Sequence, residues 1–312
     1  MRIGYFLSCE EYAPDQLIEQ ARLAQDAGFH GLWISDHFHP WNDAQGQSPF
    51  VWSIIGALSQ AVRIPVTTAV TCPILRIHPA VIAQAAATSA VLHDGRFVLG
   101  VGTGEALNEH ITGARWPFAE ERLDMLEEAV DVMRQLWEGD FVTHHGRHYT
   151  VEQARIYTRP PAAPKVYVSA FGPRSVQVAA RIGDGYISTQ PDADLVKQFR
   201  QFGGGDKPAQ GAFKGCYAAT EDEGVRVAHR LWGTSGVPGE LAQVLPSPRH
   251  FEQAAQLVTP EMTRESLPCG PDPAPYAEQL KTYADAGFDE VYVANIGPRY
   301  AEFIDMFRRE FL

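Results

Sequence analysis

The sequence predicts an α/β fold, a (β/α)8 TIM barrel with insertions, and three observations lead to this prediction. Short apolar runs alternate with helical patterns about seven or eight times along the chain. The length of 312 residues suits such a barrel, which typically needs about 250 residues before insertions. Neither a linker nor a low-complexity tract interrupts the alternation. We therefore expect one domain over residues 1–312, with insertions near 105–165 and 200–270.

The first half of the chain contains four predicted strand–helix units. Apolar side chains recur at helical spacing over residues 14–27, and Gly28 then supplies a common helix end. A proline at position 79 is typical of the first turn of another helix. The strands are predicted at residues 2–7, 31–35, 64–70 and 96–102, and the helices at 14–27, 50–61, 79–92 and 119–137.

The second half begins with an interruption and then returns to the same pattern. Aromatic and β-branched residues around Gly146 predict an inserted hairpin. Residues 221–258 are predicted as mostly helix and loop. The remaining strands are predicted at residues 165–171, 185–190, 211–220 and 290–296, and the remaining helices at 173–182, 275–286 and 300–311.

Composition narrows the class of partner. Lys and Arg total 26 against 38 Asp and Glu, which gives a net charge of −12. Nucleic acid and anionic membranes bind basic surfaces, so this charge argues against both as the main partner. The four cysteines are scattered and form no CxxC pair, which favours a reducing compartment. The first residues lack the apolar core of a signal peptide, and no run reaches the roughly 18 apolar residues of a membrane span. We expect a cytoplasmic protein with a small-molecule partner.

The polar strand ends indicate an active site, because the active site of such a barrel lies where its parallel strands end. The apolar run at 31–35 is followed at once by Asp36, His37, His39, Trp41 and Asn42. Other strand ends are also polar or glycine-rich. They include Ser8 to Glu11, Thr71 to Pro73, Gly102 to Glu105 with Asn108, Ala170 to Pro173, and Ser188 to Gln190.

Short sequence motifs distinguish between the candidate ligands and indicate candidate site residues. The run "GVGTGEALNE" lacks the third glycine of a dinucleotide-binding G-x-G-x-x-G motif, so its alternating glycines favour close approach of a flat ligand instead. Glu105, at this opening, is a candidate proton donor, and Trp41 a candidate wall for a ring-shaped ligand. His37 and His39 could converge on a metal, but no metal-binding motif supports one. The histidines of "HHGRHY" (144–149) are predicted as a solvated turn.

Three segments together carry a resemblance to a known family: "SDHFHPWNDAQGQSPF", "RIHPAVIAQAAAT" and "FVLGVGTGEALNE". They resemble the luciferase-like flavin and deazaflavin superfamily, and most of all its branch of F420-dependent glucose-6-phosphate dehydrogenases and related F420-dependent oxidoreductases. The resemblance covers nearly the whole chain, most strongly up to about Ile187. It implies a TIM barrel, a homodimer, and coenzyme F420 in the mouth formed by the strand ends.

The resemblance also implies a set of cofactor-binding residues. A non-proline cis peptide bond would lie between Ala69 and Val70, under the ring. The segment from Ser169 to Gly172 would hold the cofactor phosphate with backbone N–H groups at a helix start. Phe171 stands where the family usually has glycine, and this difference keeps FMN as an alternative cofactor. The full set is Asp36, Ala69, Val70, Gly104, Asn108, Ser169, Ala170, Phe171 and Gly172.

The implied reaction is hydride transfer between the deazaflavin C5 and an alcohol or carbonyl substrate. By resemblance, His37 is the base, Glu105 protonates or neutralises the N1 side of the ring, and Trp41 shields the reacting carbon. Glu10 matches a further active-site carboxylate. A neutral imidazole can take a hydroxyl proton near neutral pH, and the cofactor supplies the difficult redox step.

The residues expected to bind the substrate differ from those of the family. Relatives that oxidise sugar phosphates carry lysines and an arginine that bind the phosphate, whereas Gln190, Asp192 and Gln253 stand at the matching or nearby positions here. An anion site without cations binds phosphate poorly. We therefore expect an unphosphorylated substrate. The alternatives are an FMN-dependent reductase or monooxygenase, an F420-dependent sugar-6-phosphate dehydrogenase, and a barrel that binds flavin without turnover.

Overall fold

Eight parallel strands close into a barrel, as the sequence predicts. The computed structural model describes residues 1–237 and 239–312. Around the barrel the strand order is β1-β10-β9-β8-β7-β4-β3-β2, and β5 and β6 form a separate antiparallel hairpin. The strands are β1 (Arg2–Leu7), β2 (Leu32–Ile34), β3 (Val66–Thr68), β4 (Phe97–Val101), β5 (Val142–His145), β6 (Thr150–Ala154), β7 (Lys165–Ser169), β8 (Gly185–Ser188), β9 (Ala209–Gly215) and β10 (Glu290–Asn295).

Helices surround the barrel and supply the walls above its mouth. Most of the predicted helices are found within one or two residues of their predicted ends, because their apolar positions recur with the helical period. The helices are α1 (Pro14–Ala27), α2 (Val51–Ala61), α3 (Pro79–Leu92), α4 (Ala106–Glu109), α5 (Ala119–Glu138), α6 (Pro173–Ile182), α7 (Ala193–Phe199), α8 (Glu221–Trp232), α9 (Leu241–Val244), α10 (Pro248–Ala255), α11 (Pro260–Ser266), α12 (Ala274–Asp285) and α13 (Tyr300–Glu310).

Side chains alternate between the inside and the outside of the barrel, since successive residues of a strand point to opposite faces. Tyr5 points outward and packs edge to face against Phe29 and Phe303 of the surrounding layer. Phe6 points inward, opposite Trp33 on β2. Trp33 in turn stacks on Tyr292 with the ring centroids 4.8 Å apart. The lumen is therefore a packed aromatic core below the mouth.

The third strand is shorter than its apolar run predicts. Regular pairing of β3 ends at Thr68, and it returns as a single bridge between Thr71 and Val101. Between them the bond from Ala69 to Val70 is cis, as the resemblance implies. The backbone N–H of Ala69 donates to Ile34, which keeps this irregular segment attached to β2.

Two long connections extend beyond the strand–helix units. Helix α5 and the β5–β6 hairpin lie between β4 and β7, and helices α8 to α12 lie between β9 and β10. The hairpin is anchored on Glu128 of α5, whose carboxylate accepts hydrogen bonds from the backbone N–H groups of Arg147, His148 and Tyr149. Among the described helices, none is both long enough and apolar enough for a membrane span. The single-domain organisation with insertions stays a prediction.

Candidate active site

The polar loop that follows β2 forms one wall of the mouth and is bound to the segment between β9 and β10. The side-chain amides of Asn42 and Gln45 both donate to the carbonyl of Leu231, at 2.9 Å. Trp41 packs edge to face on Phe251, with the ring centroids 5.0 Å apart. Asp43 donates its backbone N–H to Glu252. These contacts join two parts of the chain that are far apart in sequence.

His37 and Glu10, two predicted catalytic residues, form a pair at the mouth. Nε2 of His37 lies 3.3 Å from Oε1 of Glu10, and both side chains are largely buried. The other carboxylate oxygen of Glu10 accepts a hydrogen bond from the hydroxyl of Ser35 at 2.7 Å. The pair therefore has a defined orientation, because neighbouring strand ends hold both of its members.

The second ring nitrogen of His37 faces both a donor and an acceptor. Nδ1 lies 3.1 Å from the amide nitrogen of Asn108 and 3.2 Å from the carbonyl oxygen of His39. A neutral ring with its proton on Nδ1 can donate to the His39 carbonyl and leaves Nε2, beside Glu10, as the acceptor. This arrangement leaves one ring nitrogen for a proton from a substrate, as a general base requires.

Asn108 connects His37 to Glu105. Its side-chain oxygen accepts the backbone N–H groups of Phe38 and His39, at 2.9 and 3.2 Å. Its amide nitrogen donates to Glu105 at 3.3 Å. Glu105 directly precedes the short helix α4, and its carboxylate remains half-buried at the mouth. The buried Asn108 side chain therefore positions the predicted base and the predicted acid together.

Trp41 lies beside the predicted base. Its ring centroid is 5.0 Å from that of His37, and the two rings are tilted by 57°. The indole is partly exposed, since Phe251 covers only one side. This arrangement agrees with a wall for a substrate that contacts His37. Together, His37, Trp41, Glu10 and Glu105 border one mouth, although their catalytic roles stay predictions.

Asp36 belongs to a buried ionic cluster that sequence analysis missed in part. One carboxylate oxygen accepts from the hydroxyl of Thr71 at 2.8 Å, and the other accepts from the guanidinium of Arg76 at 2.7 Å. Arg76 also contacts Glu109, whose carboxylate accepts the Arg76 backbone N–H at 2.7 Å. Burial raises the pKa of Glu109, while the N–H and the charge of Arg76 oppose that change. The cluster fixes the start of the polar loop against the segment after β3.

The strand ends of β3 and β4 form a surface that fits a flat ring. Ala69 and Val70 are partly exposed there, and Gly102 lies directly against Val70. A Cβ atom at Gly102 would lie 2.8 Å from Cγ2 of Val70, so only glycine leaves this surface open. Gly104 has a φ of +71°, a conformation that glycine adopts without strain. The predicted ring-binding residues thus surround one apolar floor.

The predicted phosphate-binding segment lies at the start of α6. Ser169 ends β7, Ala170 is buried, and Phe171 is 43% exposed, so the phenyl ring does not fill the space below it. The N–H of Gly172 already donates to Ser175 at 3.1 Å. The N–H groups of Arg174 and Ser175 have no acceptor within the helix, because they belong to its first turn. Those two groups are the donors this helix start offers to a phosphate.

Glu11, next to Glu10, and Lys214 were not predicted as site residues. Glu11 accepts hydrogen bonds from Nε1 of Trp232, at 2.7 Å, and from the backbone N–H of Gly297. Burial raises the pKa of Glu11 to about 7, and those hydrogen bonds oppose the shift. Lys214, on β9, lies with its Nζ 4.2 Å from the centroid of the Trp232 ring. A single charged residue inside a predicted strand is the sequence signal that could have identified Lys214.

His39, His144 and the cysteines have structural surroundings. His39 contacts the carbonyl of Leu107 through Nδ1 at 2.9 Å, and His144 contacts Glu128 at 3.2 Å. All four cysteines are buried and free. Over residues 1–237 and 239–312, no group of three or more His, Cys, Asp or Glu side chains is placed to hold a metal ion.

The positions expected to lack phosphate-binding cations have other contacts. Asp192 caps α7, where its carboxylate accepts the backbone N–H of Leu195 at 3.0 Å. Gln253 is exposed on α10. Arg264 is paired with Glu221 and Asp222, at 2.6 and 2.7 Å, which neutralise its charge. Asp192 and Gln253 carry no positive charge, and the charge of Arg264 is paired, so none of the three offers a free cation to a phosphate.

Comparison with known proteins places these features in a family. A family model described as luciferase-like monooxygenase matches residues 1–290. An F420-dependent glucose-6-phosphate dehydrogenase of Microbacterium testaceum is 33% identical over 100% of this chain and 96% of its own length. An F420-dependent hydroxymycolic acid dehydrogenase of Mycobacterium tuberculosis is 34% identical over 91% of this chain and 80% of its own length.

Solved structures agree with the fold. An F420-dependent secondary alcohol dehydrogenase, in complex with an F420-acetone adduct, superposes with a TM-score of 0.91. It is 32% identical in sequence, and the match covers 99% of this chain and 97% of that one. A coenzyme F420-dependent tetrahydromethanopterin reductase from Methanopyrus kandleri, 19% identical with a TM-score of 0.79, shares the fold.

The buried cluster around Arg76 leads to a stability prediction. Replacing Arg76 with Met keeps most of the apolar stem but leaves two buried carboxylates, those of Asp36 and Glu109, without their cation. Removing one partner of a buried ion pair typically costs about 3–5 kcal/mol. We expect a decrease of that size in the free energy of unfolding, measured by urea denaturation.

The matched control is Arg308→Met, because Arg308 is exposed and pairs with the exposed Asp305. An exposed ion pair contributes about 0–1 kcal/mol. Equal effects of the two substitutions would show that the Arg76 cluster is not a stabilising element.

Proposed function

The chain belongs to the luciferase-like monooxygenase family, and we propose that it uses coenzyme F420 to transfer a hydride between the cofactor and an unphosphorylated alcohol or carbonyl substrate. The single observation that carries this proposal is the His37–Glu10 pair beside Trp41 at the barrel mouth. Oxidation of an alcohol releases the hydroxyl proton, and this pair supplies an acceptor for it. Mere binding of a flavin does not require it.

The class of reaction rests on the relatives. Proteins that match nearly the whole chain at 32–34% identity are F420-dependent dehydrogenases. This chain is accordingly an F420-dependent oxidoreductase, which confirms the predicted cofactor and enzyme class. The substrate is the part that we propose. The sugar-phosphate dehydrogenases and the secondary alcohol dehydrogenase among these relatives differ in whether the substrate carries a phosphate.

The residues of the mouth fit the cofactor. The deazaflavin, when bound, accepts or donates the hydride. The floor at Ala69, Val70 and Gly104 would hold its ring, and the segment from Ser169 to Gly172 with the start of α6 would hold its phosphate. Asp36 and Asn108 are already bonded to protein groups. They would support the cofactor mainly by fixing the loop and helix that flank it.

His37 and Glu10 would manage the hydroxyl proton as a unit. His37 takes the proton in its neutral form, and the charged ring is then stabilised by Glu10 at Nε2 and by the His39 carbonyl at Nδ1. Hydrogen bonds to an ionised partner are stronger than neutral ones. The pair would thus favour loss of the proton from the alcohol while it is being oxidised.

Glu105 would act on the other side of the reacting centre. Its carboxylate is held by Asn108, and Asn108 also contacts His37. We assign Glu105 to protonate or neutralise the N1 side of the ring, and Trp41 to exclude water from the reacting carbon. The predicted homodimer, the cytoplasmic location and the exclusion of nucleic acid as a partner remain proposals.

The side chains at the expected phosphate-binding positions support an unphosphorylated substrate, because they offer no free positive charge. A substrate phosphate is typically bound by cationic side chains, and Gln190, Asp192 and Gln253 stand where the resemblance leads us to expect such cations. Arg264 is occupied by two carboxylates. A neutral alcohol needs no such cation, so these side chains do not oppose its entry.

The cofactor leads to the first functional prediction. The purified protein should bind oxidised F420 at micromolar or better affinity and bind FMN at least about tenfold more weakly, a difference of about 1.4 kcal/mol. Fluorescence titration measures both affinities. Equal or reversed affinities would favour the FMN alternative, for which exposed Phe171 is the supporting observation.

The second functional prediction concerns proton transfer. His37→Ala and Glu105→Gln should each reduce turnover by about 10²–10⁴-fold, the usual contribution of a positioned acid or base. Matched controls are His145→Ala and Glu152→Gln, which alter an exposed pair on the β5–β6 hairpin. Near-normal turnover in either mouth variant, with F420 still bound, would remove that residue from the mechanism.

The third functional prediction concerns the substrate. Two missing charge-assisted contacts to a phosphate, at about 1.5–3 kcal/mol each, should weaken glucose 6-phosphate binding by about two to four decades. A steady-state assay of F420 reduction should therefore find glucose 6-phosphate a poor substrate beside a neutral secondary alcohol. A low micromolar KM for glucose 6-phosphate would contradict the proposal and indicate that other cations bind the phosphate.

A further inference from the structure

Lys214 projects into the barrel from the strand opposite the catalytic loop. On β9 it shares the inner face with Gln210 and Ala212, since residues two apart point the same way. It also pairs in register with Ala294 of β10, another inward-pointing residue. The small Ala294 leaves room for the lysine stem at the top of the lumen.

The ammonium group of Lys214 lies between two aromatic rings. Nζ is 5.0 Å from the centroid of Phe6 and 4.2 Å from that of Trp232. Such contacts attract a cation to the face of a ring. They hold the group in place, but an aromatic ring does not replace the hydrogen bonds that an ammonium makes in water.

No polar group of the described chain completes this site. Over residues 1–237 and 239–312, Nζ makes no hydrogen bond and has no carboxylate oxygen within 4.0 Å. Burial lowers the pKa of Lys214, and the charges of Glu10 and Glu11 oppose that change. A charged group removed from water normally has a hydrogen-bonding partner. The residue is only half-buried, so a ligand in the mouth can supply one.

We propose that Lys214 is a substrate-binding residue that donates a hydrogen bond to a second, neutral oxygen of the substrate, distinct from the oxygen that reacts. The proposal rests on the proposed function, because it takes the alcohol or carbonyl at His37 as the reacting group. It narrows the substrate class to neutral molecules with at least two oxygens, such as diols and hydroxyketones.

The strand order places His37 and Lys214 on different sides of the mouth. His37 follows β2, and β2 is three strands away from β9 through β1 and β10. With neighbouring strands about 4.8 Å apart, the two residues start about 14 Å apart along the sheet and approach the mouth from different sides. A substrate with two oxygens can therefore contact both residues at once.

The local charges favour a neutral oxygen over an anion. Glu10 and Glu11 follow β1, which β10 separates from β9, and both act electrostatically on Lys214. The two carboxyl groups lower the positive potential around the ammonium, which makes the site less favourable for a phosphate or a carboxylate of the substrate. A hydroxyl or carbonyl oxygen accepts the hydrogen bond without adding a negative charge to this pair.

The test uses two substrates that differ by one hydroxyl, cyclohexane-1,2-diol and cyclohexanol, with the F420-loaded protein. Lys214→Met keeps the stem and removes the ammonium. We expect this variant to lose about 10-fold to 100-fold in kcat/KM for the diol, chiefly through KM, as for a hydrogen bond to a charged group. Its kcat/KM for cyclohexanol and its affinity for F420 should change less than about twofold.

Lys197→Met, on the exposed outer face of α7, is the matched control and should change neither substrate. Equal losses for both substrates, or no loss for either, would overturn the inference. Competition by inorganic phosphate that disappears in Lys214→Met would also overturn it, because it would show an anion site.

A failure of the proposed function can be distinguished from a failure of the inference about Lys214. If the wild-type protein reduces F420 with neither alcohol, binding of the diol is measured by quenching of tryptophan fluorescence, since Trp232 adjoins Lys214. Binding by the wild type that is lost in Lys214→Met would support the inference alone. Absence of diol binding by the wild type would overturn it as well.

Discussion

Closure of the barrel by the pairing of β1 with β10 is the constraint on which the site depends. This pairing places the strand end that carries Glu10 between the loop of His37 and the strand of Lys214. Aromatic side chains fill the lumen immediately below, so a ligand is confined to the mouth. The chemistry is therefore assembled from strand ends that only a closed sheet brings together.

The mouth has two differently built sides. On the side of β2 to β4, buried hydrogen bonds and the Arg76 cluster hold the loop and the short helix α4 in a fixed relation, with Asn108 at the centre. On the other side, the chain between β9 and β10 supplies Trp232 and Phe251 from helices packed above the barrel. Proton transfer needs the fixed geometry of the side formed by β2 to β4. Selection of a substrate can depend on the side chains that the helices between β9 and β10 supply.

Charge in this acidic protein is organised locally. The net charge of −12 is that of the whole chain, whereas three of its cations have three different surroundings. Arg76 is fully paired, and Arg264 is neutralised outside. Lys214 alone among these three contacts aromatic rings in place of carboxylates. This distribution explains why the mouth suits a neutral, hydrogen-bonding ligand.

Sequence alone determined the barrel and much of one side of the mouth. Alternating periodicity marked the strands and helices, and the polar residues at their ends, His37, Trp41 and Glu105, lie within short motifs. Arg76, Lys214 and the Trp41–Phe251 contact were decided only by tertiary structure. Their partners lie tens to hundreds of residues away. Local periodicity reports which face of an element is buried, but it carries no information on which distant side chain that face meets.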